Sequence, residues 1–133
     1  MERVRERITI ARRALATLEA VVGKSSPSDI ERDAAIQRFE YTFEAVWKAA
    51  QSYLREMEGL DNASPRAVIR SSFQSRLIDE KTARAAMNIV TDRNLTVHTY
   101  NEKFAMGIYK RLSKHAKVIE IWLSAMEKQI IDL

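Results

Sequence analysis

Cysteine is absent from this 133-residue chain, so neither a disulfide framework nor a thiolate metal site can be built from it. That fits a reducing compartment, and a cytoplasmic setting is expected. Glycine and proline are nearly as scarce, at three and two residues. An all-β chain turns too often to be made with so few breakers. No run approaches the ~20 apolar residues of a membrane-spanning helix. The opening stretch Met1-Glu2-Arg3-Val4-Arg5-Glu6-Arg7 is too charged to read as a secretory leader. Charge of one sign is not in great excess either: 22 basic residues face 18 acidic ones, net +4. This balance suits a phosphate-bearing partner without requiring one. Apolar residues make up 46%, enough for a packed core, and one domain over 1–133 is expected.

The apolar residues fall at helical spacing. Val4, Ile8, Ala11, Leu15, Leu18 and Val22 step by 4 and 3, which predicts a helix over 2–22 stopped at Gly23. In the connector that follows, Ser26 can cap and Pro27 can take the first helical position. Ile36, Phe39, Phe43, Val46, Ala50, Tyr53 and Met57 predict a long helix over 28–58, ended by Gly59. Ser64-Pro65 repeats the cap signal before a short helix over 65–75 that buries Val68, Ile69 and Phe73. Asp79 caps a helix over 80–93 with Ala83, Ala86, Met87 and Val90 inward. Thr99 and Glu102 fit a capping box at the start of a last helix over 100–130. Its seam is Phe104, Ile108, Leu112, His115, Ile119, Trp122, Met126 and Ile130. The pattern is all-α: an antiparallel up-and-down four-helix bundle with one extra short helix. The wide apolar faces of the second and last helices predict a homodimer.

One stretch between helices concentrates the chemistry. Arg93 ends the fourth helix and His98 precedes the fifth. On a continuous helix the two would sit ~140° apart, so a break over 94–98 is needed to bring them to one side. Asn94 tolerates the backbone angles of such a break. A helix N-terminus and a nearby arginine both disfavour a protonated ring, so His98 is expected to act as a proton acceptor. Arginine presents a planar fork of donors to phosphate oxygens. A base and a phosphate clamp suffice for RNA cleavage without a metal ion: the base takes the 2′-hydroxyl proton and the arginine stabilises the charge that develops. His115, between Leu112 and Ile119, reads as a core histidine. Neither a metal-ligand spacing nor a Gly-rich phosphate loop occurs, so no metal or cofactor is expected.

The stretch Arg93-Asn94-Leu95-Thr96-Val97-His98-Thr99-Tyr100-Asn101-Glu102 resembles the signature of the HEPN superfamily. Arg38-Phe39-Glu40-Tyr41-Thr42-Phe43-Glu44 and Ser64-Pro65-Arg66 resemble its branch of nucleotidyltransferase substrate-binding proteins, and the likeness spans about 30–105. The resemblance implies a dimeric helical bundle whose partner is a minimal nucleotidyltransferase on a separate chain. It implies a toxin-type ribonuclease with Arg93 and His98 as the catalytic pair, in one protomer or across a dimer, and Asn94 as a polar auxiliary. Tyr100 matches the tyrosine that the transferase adenylylates to silence the toxin. The alternative is a non-catalytic subunit that presents a nucleotide or other substrate to the transferase, and a plain protein–protein adaptor is the blandest reading. Glu40 or Glu44 is expected to pair with Arg93 or another basic residue.

Overall fold

A computed structural model describes residues 1–131; the last two positions of the domain expected over 1–133 lie outside the described residues. The helices are α1 (Glu2–Glu19), α2 (Asp29–Glu58), α3 (Pro65–Gln74), α4 (Glu80–Leu95) and α5 (Glu102–Ile130). A 3-10 turn, Thr96–His98, joins the last two. The fold is all-α, with no strand among the described residues. Helices α1, α2 and α5 pack on one another, α4 lies against α5 and α2, and α3 bridges α2 and α4. This packing is consistent with the expected bundle and its one extra short helix.

Most of the helices start where a side chain can satisfy their free N–H groups. Ser28, rather than Ser26, caps α2, and Glu31 completes a capping box. Glu31 lies three residues past Ser28, whereas Asp29 at the matching offset from Ser26 is too short to reach back. The hydrogen bond from Lys24 and those from Ser28 hold the Glu31 carboxyl down at about 2. Ser64 caps α3 with Pro65 in its first turn, and Asp79 caps α4 through the Thr82 N–H, both as expected. Helix α5 departs from expectation. Its cap is Asn101, not Thr99, because the Asn101 Oδ1 accepts from both Lys103 N and Phe104 N. The Thr99 hydroxyl instead turns back to the Thr96 carbonyl. Helix α1 stops three residues early, at Glu19, and Val22 is only half-buried.

The core runs along the seams read from spacing. Phe39, Phe43, Leu54, Leu112, Ile119 and Trp122 are fully buried. Truncating such a side chain to Ala costs about 3–5 kcal/mol for an aromatic and about 2–5 for a leucine. Two expected seam residues are not in it. Phe73 is exposed because the short α3 is covered on one face only, and Phe104, in the first turn of α5, is half-exposed with its ring against His98 instead. Arg12 on α1 fastens the opposite edge of α5 through Glu120 and Glu127.

Candidate functional site

Helix α4 carries two charged residues in its last turns that point different ways. Successive positions on a helix differ by about 100°, so Asp92 and Arg93 cannot share a neighbour. Asp92 faces α5. Its carboxylate accepts two bonds from Arg111, both 2.7 Å, and one of 2.6 Å from His115 Nε2. Asp92 and His115 are each 4% exposed, and Phe39 stacks on the imidazole with centroids 5.5 Å apart. Burial alone pushes the Asp92 carboxyl up, but the bonds from His115 and Arg111 outweigh it and hold the carboxyl below its usual range. An ionised carboxylate only accepts, so His115 Nε2 carries the proton in this bond. His115 is thus the core histidine expected, with a buried partner that the spacing did not disclose. A carboxylate one helical turn from Ile89 and Thr96 on an inward stripe was the available signal, since it must find a donor inside.

Arg93 faces α2. Its Nη2 donates to Glu44 Oε2 at 3.3 Å, and its Nη1 reaches Asn94 Oδ1 at 3.5 Å. The expected pairing of a second-helix glutamate with Arg93 therefore falls to Glu44, while Glu40 stays exposed. Glu44 is itself held, by Trp47 Nε1 at 3.1 Å and by Lys48 one turn along. Arg93 remains half-exposed and opens on a cleft of about 660 Å³ between α2 and the end of α4. Gln37, Glu40, Tyr41 and Glu44 form one wall, and Arg93, Asn94, Thr96 and Val97 the other. The size is within the range of ligand sites. Its charge is less suited to an anion: two carboxylates face one arginine.

Asn94 is exposed and helical rather than the residue that breaks the helix. The break comes later, after Leu95, where threonine hydroxyls bond back to carbonyls on either side of it. Thr96 Oγ1 donates to Arg93 O at 2.7 Å, and Thr99 Oγ1 to Thr96 O at 3.1 Å. His98 ends the 3-10 turn, exposed. Its Nδ1 lies 3.3 Å from the Tyr100 hydroxyl, and its ring sits edge-on to Tyr100 and tilted against Phe104. Tyr100 is 83% exposed. The structure thus joins Arg93 with Glu44 and Asn94, and His98 with Tyr100. Among the described residues no hydrogen bond links the two groups, and His98 does not line the Arg93 cleft. Among the described residues, no three His, Asp or Glu side chains gather as a metal site.

Comparisons with known proteins bear on this arrangement. The model of the family "nucleotidyltransferase substrate binding protein like" matches residues 6–128. A protein of known structure from Thermus thermophilus is 53% identical, covering 87% of this chain and 98% of that one, with a TM-score of 0.85. A tri-AMPylated HEPN toxin of Shewanella oneidensis, solved in complex with its MNT antitoxin, is 20% identical over 94% of this chain and 96% of that one, with a TM-score of 0.78. A mutant of the toxin–antitoxin MntA–HpeT is 18% identical over 96% of this chain and 99% of that one, with a TM-score of 0.80. At such identities the last two establish a shared fold. No curated protein matches the chain.

Proposed function

This chain belongs to the nucleotidyltransferase substrate-binding-protein-like family, and from that premise we propose that it is the helical partner of a minimal nucleotidyltransferase, acting as a metal-independent endoribonuclease that adenylylation of Tyr100 silences. The observation that carries this reading is the contact between His98 Nδ1 and the Tyr100 hydroxyl. It ties the proposed general base to an exposed acceptor that a second enzyme can reach. His98 takes the proton of a 2′-hydroxyl, the freed oxygen attacks the adjacent phosphorus and displaces the 5′-oxygen, which takes up a proton and leaves as a 5′-hydroxyl, and Arg93 stabilises the charge on the phosphate. Asn94, beside Arg93, steers its guanidinium. An adenylate on Tyr100 adds a bulky anion, breaks the bond to His98 and occupies the space the RNA phosphate needs. The description of the Shewanella toxin as AMPylated and bound to an MNT antitoxin supports the same assignment here.

Among the described residues no hydrogen bond joins Arg93 to His98 in one protomer, and the reading has a homodimer complete the site, with each copy supplying one group. A monomer by light scattering at micromolar concentration overturns that part. The decisive test is cleavage of labelled single-stranded RNA in EDTA, comparing the parent with His98→Ala. Cleavage by the parent and not by the variant is expected, with a 2′,3′-cyclic phosphate at the new end. Adenylylation by the cognate transferase is expected on the parent and not on Tyr100→Phe. A second reading is favoured by the Glu44–Arg93 pair, which occupies the arginine's phosphate fork. In it the chain is a non-catalytic nucleotide- or substrate-binding subunit. A folded parent that cleaves nothing yet binds the transferase would select it.

A further inference from the structure

The cleft at Arg93 has more acid than base, so whatever holds a polyanion there must draw its charge from elsewhere. The charges on α5 are sorted by face. Glu120 and Glu127 point to α1, where Arg12 takes both. Lys103, Lys110, Lys114 and Lys117 lie within about 60° of one another around the helix axis. All four are exposed, and none has a carboxylate partner among the described residues. They span about 21 Å, and the row starts five residues after His98. Beside Lys114, between α4 and α5, a cleft of about 270 Å³ opens. Asn88 and Thr91 line it, and the buried His115–Asp92 pair lies in its wall. That volume falls just short of a drug-sized site and suits one planar ring.

We propose that α5 is a track for the phosphate backbone of single-stranded RNA, gripped by Lys103, Lys110, Lys114 and Lys117, with one unstacked base in the α4–α5 cleft. A row of lysines without carboxylate partners on one helix matches a repeating charge, and a side cleft with the Asn88 amide in its lining matches the edge of a splayed base. The choice of RNA over DNA rests on the ribonuclease reading; the track itself does not. The track holds the strand while the junction at the N-terminus of α5 acts on it.

The test is binding of a fluorescent single-stranded oligoribonucleotide, by anisotropy across a salt series, in a His98→Ala background so that cleavage cannot intervene. Neutralising Lys110, Lys114 and Lys117 together to Gln should weaken binding about tenfold or more at low salt and flatten the log–log salt slope by about 2. Asn88→Ala should weaken binding severalfold and leave the slope unchanged. These lysines are solvated, so the variants keep their thermal midpoints. An unchanged affinity and slope in the triple variant overturns the track. So does a triple variant that keeps RNA binding but loses the transferase, which would make the lysines a surface for an acidic protein. An unaltered affinity in Asn88→Ala overturns the base in the cleft. RNA that binds along the track without being cleaved by the parent leaves the track standing and removes the ribonuclease reading instead.

Discussion

Two histidine environments flank the last turns of α4, and they divide by how completely their groups are satisfied. His115 has what a catalytic base is usually sought by: a carboxylate at 2.6 Å and an arginine on the same carboxylate. Yet it is buried, stacked on Phe39 and committed to Asp92. His98 has a looser contact of 3.3 Å with a tyrosine hydroxyl and lies in solvent. A closed network orders the bundle, because an unpaired charge inside it is costly. A group left with spare bonding capacity at the surface is the one able to serve a substrate. The same contrast separates the neighbours Asp92, saturated and buried, and Arg93, half-exposed with one carboxylate partner.

The comparison breaks most visibly at Asp92. Asp92→Ala strands the buried His115 and frees Arg111, and it should cost about 3 kcal/mol, the lower end for a broken buried pair because Arg111 is itself half-exposed. A fall in thermal midpoint of roughly 10 °C checks it. The remaining folded protein should still cleave RNA. A cost below about 1 kcal/mol would mean that the closed network orders nothing.

The same network sets a dependence on acid. The folded chain holds Asp92 ionised below the usual carboxylate range, so the unfolded chain takes up the proton more readily. The stabilisation is full above about pH 4, the unfolded carboxyl value, and is lost as pH falls through the lower folded one. Urea midpoints of the parent and Asp92→Ala should therefore converge as pH drops below about 4. A gap that stays constant from neutral pH down to about pH 2 would assign the effect to packing instead.

How far these regions were legible in the sequence follows from the same physics. Helical spacing located the core because burial repeats with the turn of the helix, and Ser64, Asp79 and Gly59 marked ends because a cap acts within a few residues of itself. Thr99 and Ser26 failed as caps because a better acceptor stood two positions on, at Asn101 and Ser28. The Glu44–Arg93 pair was anticipated, since an acid beside an apolar seam seeks a base. Two things were not legible. Asp92 and His115 are 23 positions apart, and no local pattern links them. Phe104 and Phe73 carry the right spacing, but whether a neighbour covers the end turn of a seam is decided by helix lengths and crossing points.

At the open site, Glu44→Gln sharpens the contrast. It removes a partly exposed pair, so stability should change by less than about 1 kcal/mol. Arg93 loses its anchor and the cleft loses a negative charge. The substrate dissociation constant should tighten a few-fold, while the single-turnover rate falls about tenfold because the guanidinium is no longer aimed. Equal changes in both quantities would show that Glu44 does not aim Arg93.

The smallest effect on activity belongs far from both regions. Gly59 ends α2 in the left-handed region, at φ +66°, with its N–H on Arg55 O and the Leu60 N–H reaching back to Leu54 O. Nothing lies within 4 Å of an added Cβ, so Gly59→Ala meets only the backbone cost of that conformation, about 1 kcal/mol. The variant should lower the urea midpoint accordingly and leave cleavage per folded molecule unchanged. If it slowed cleavage as much as Glu44→Gln does, general loosening of the bundle would explain the loss at Glu44, and Arg93 would need no carboxylate partner to aim it.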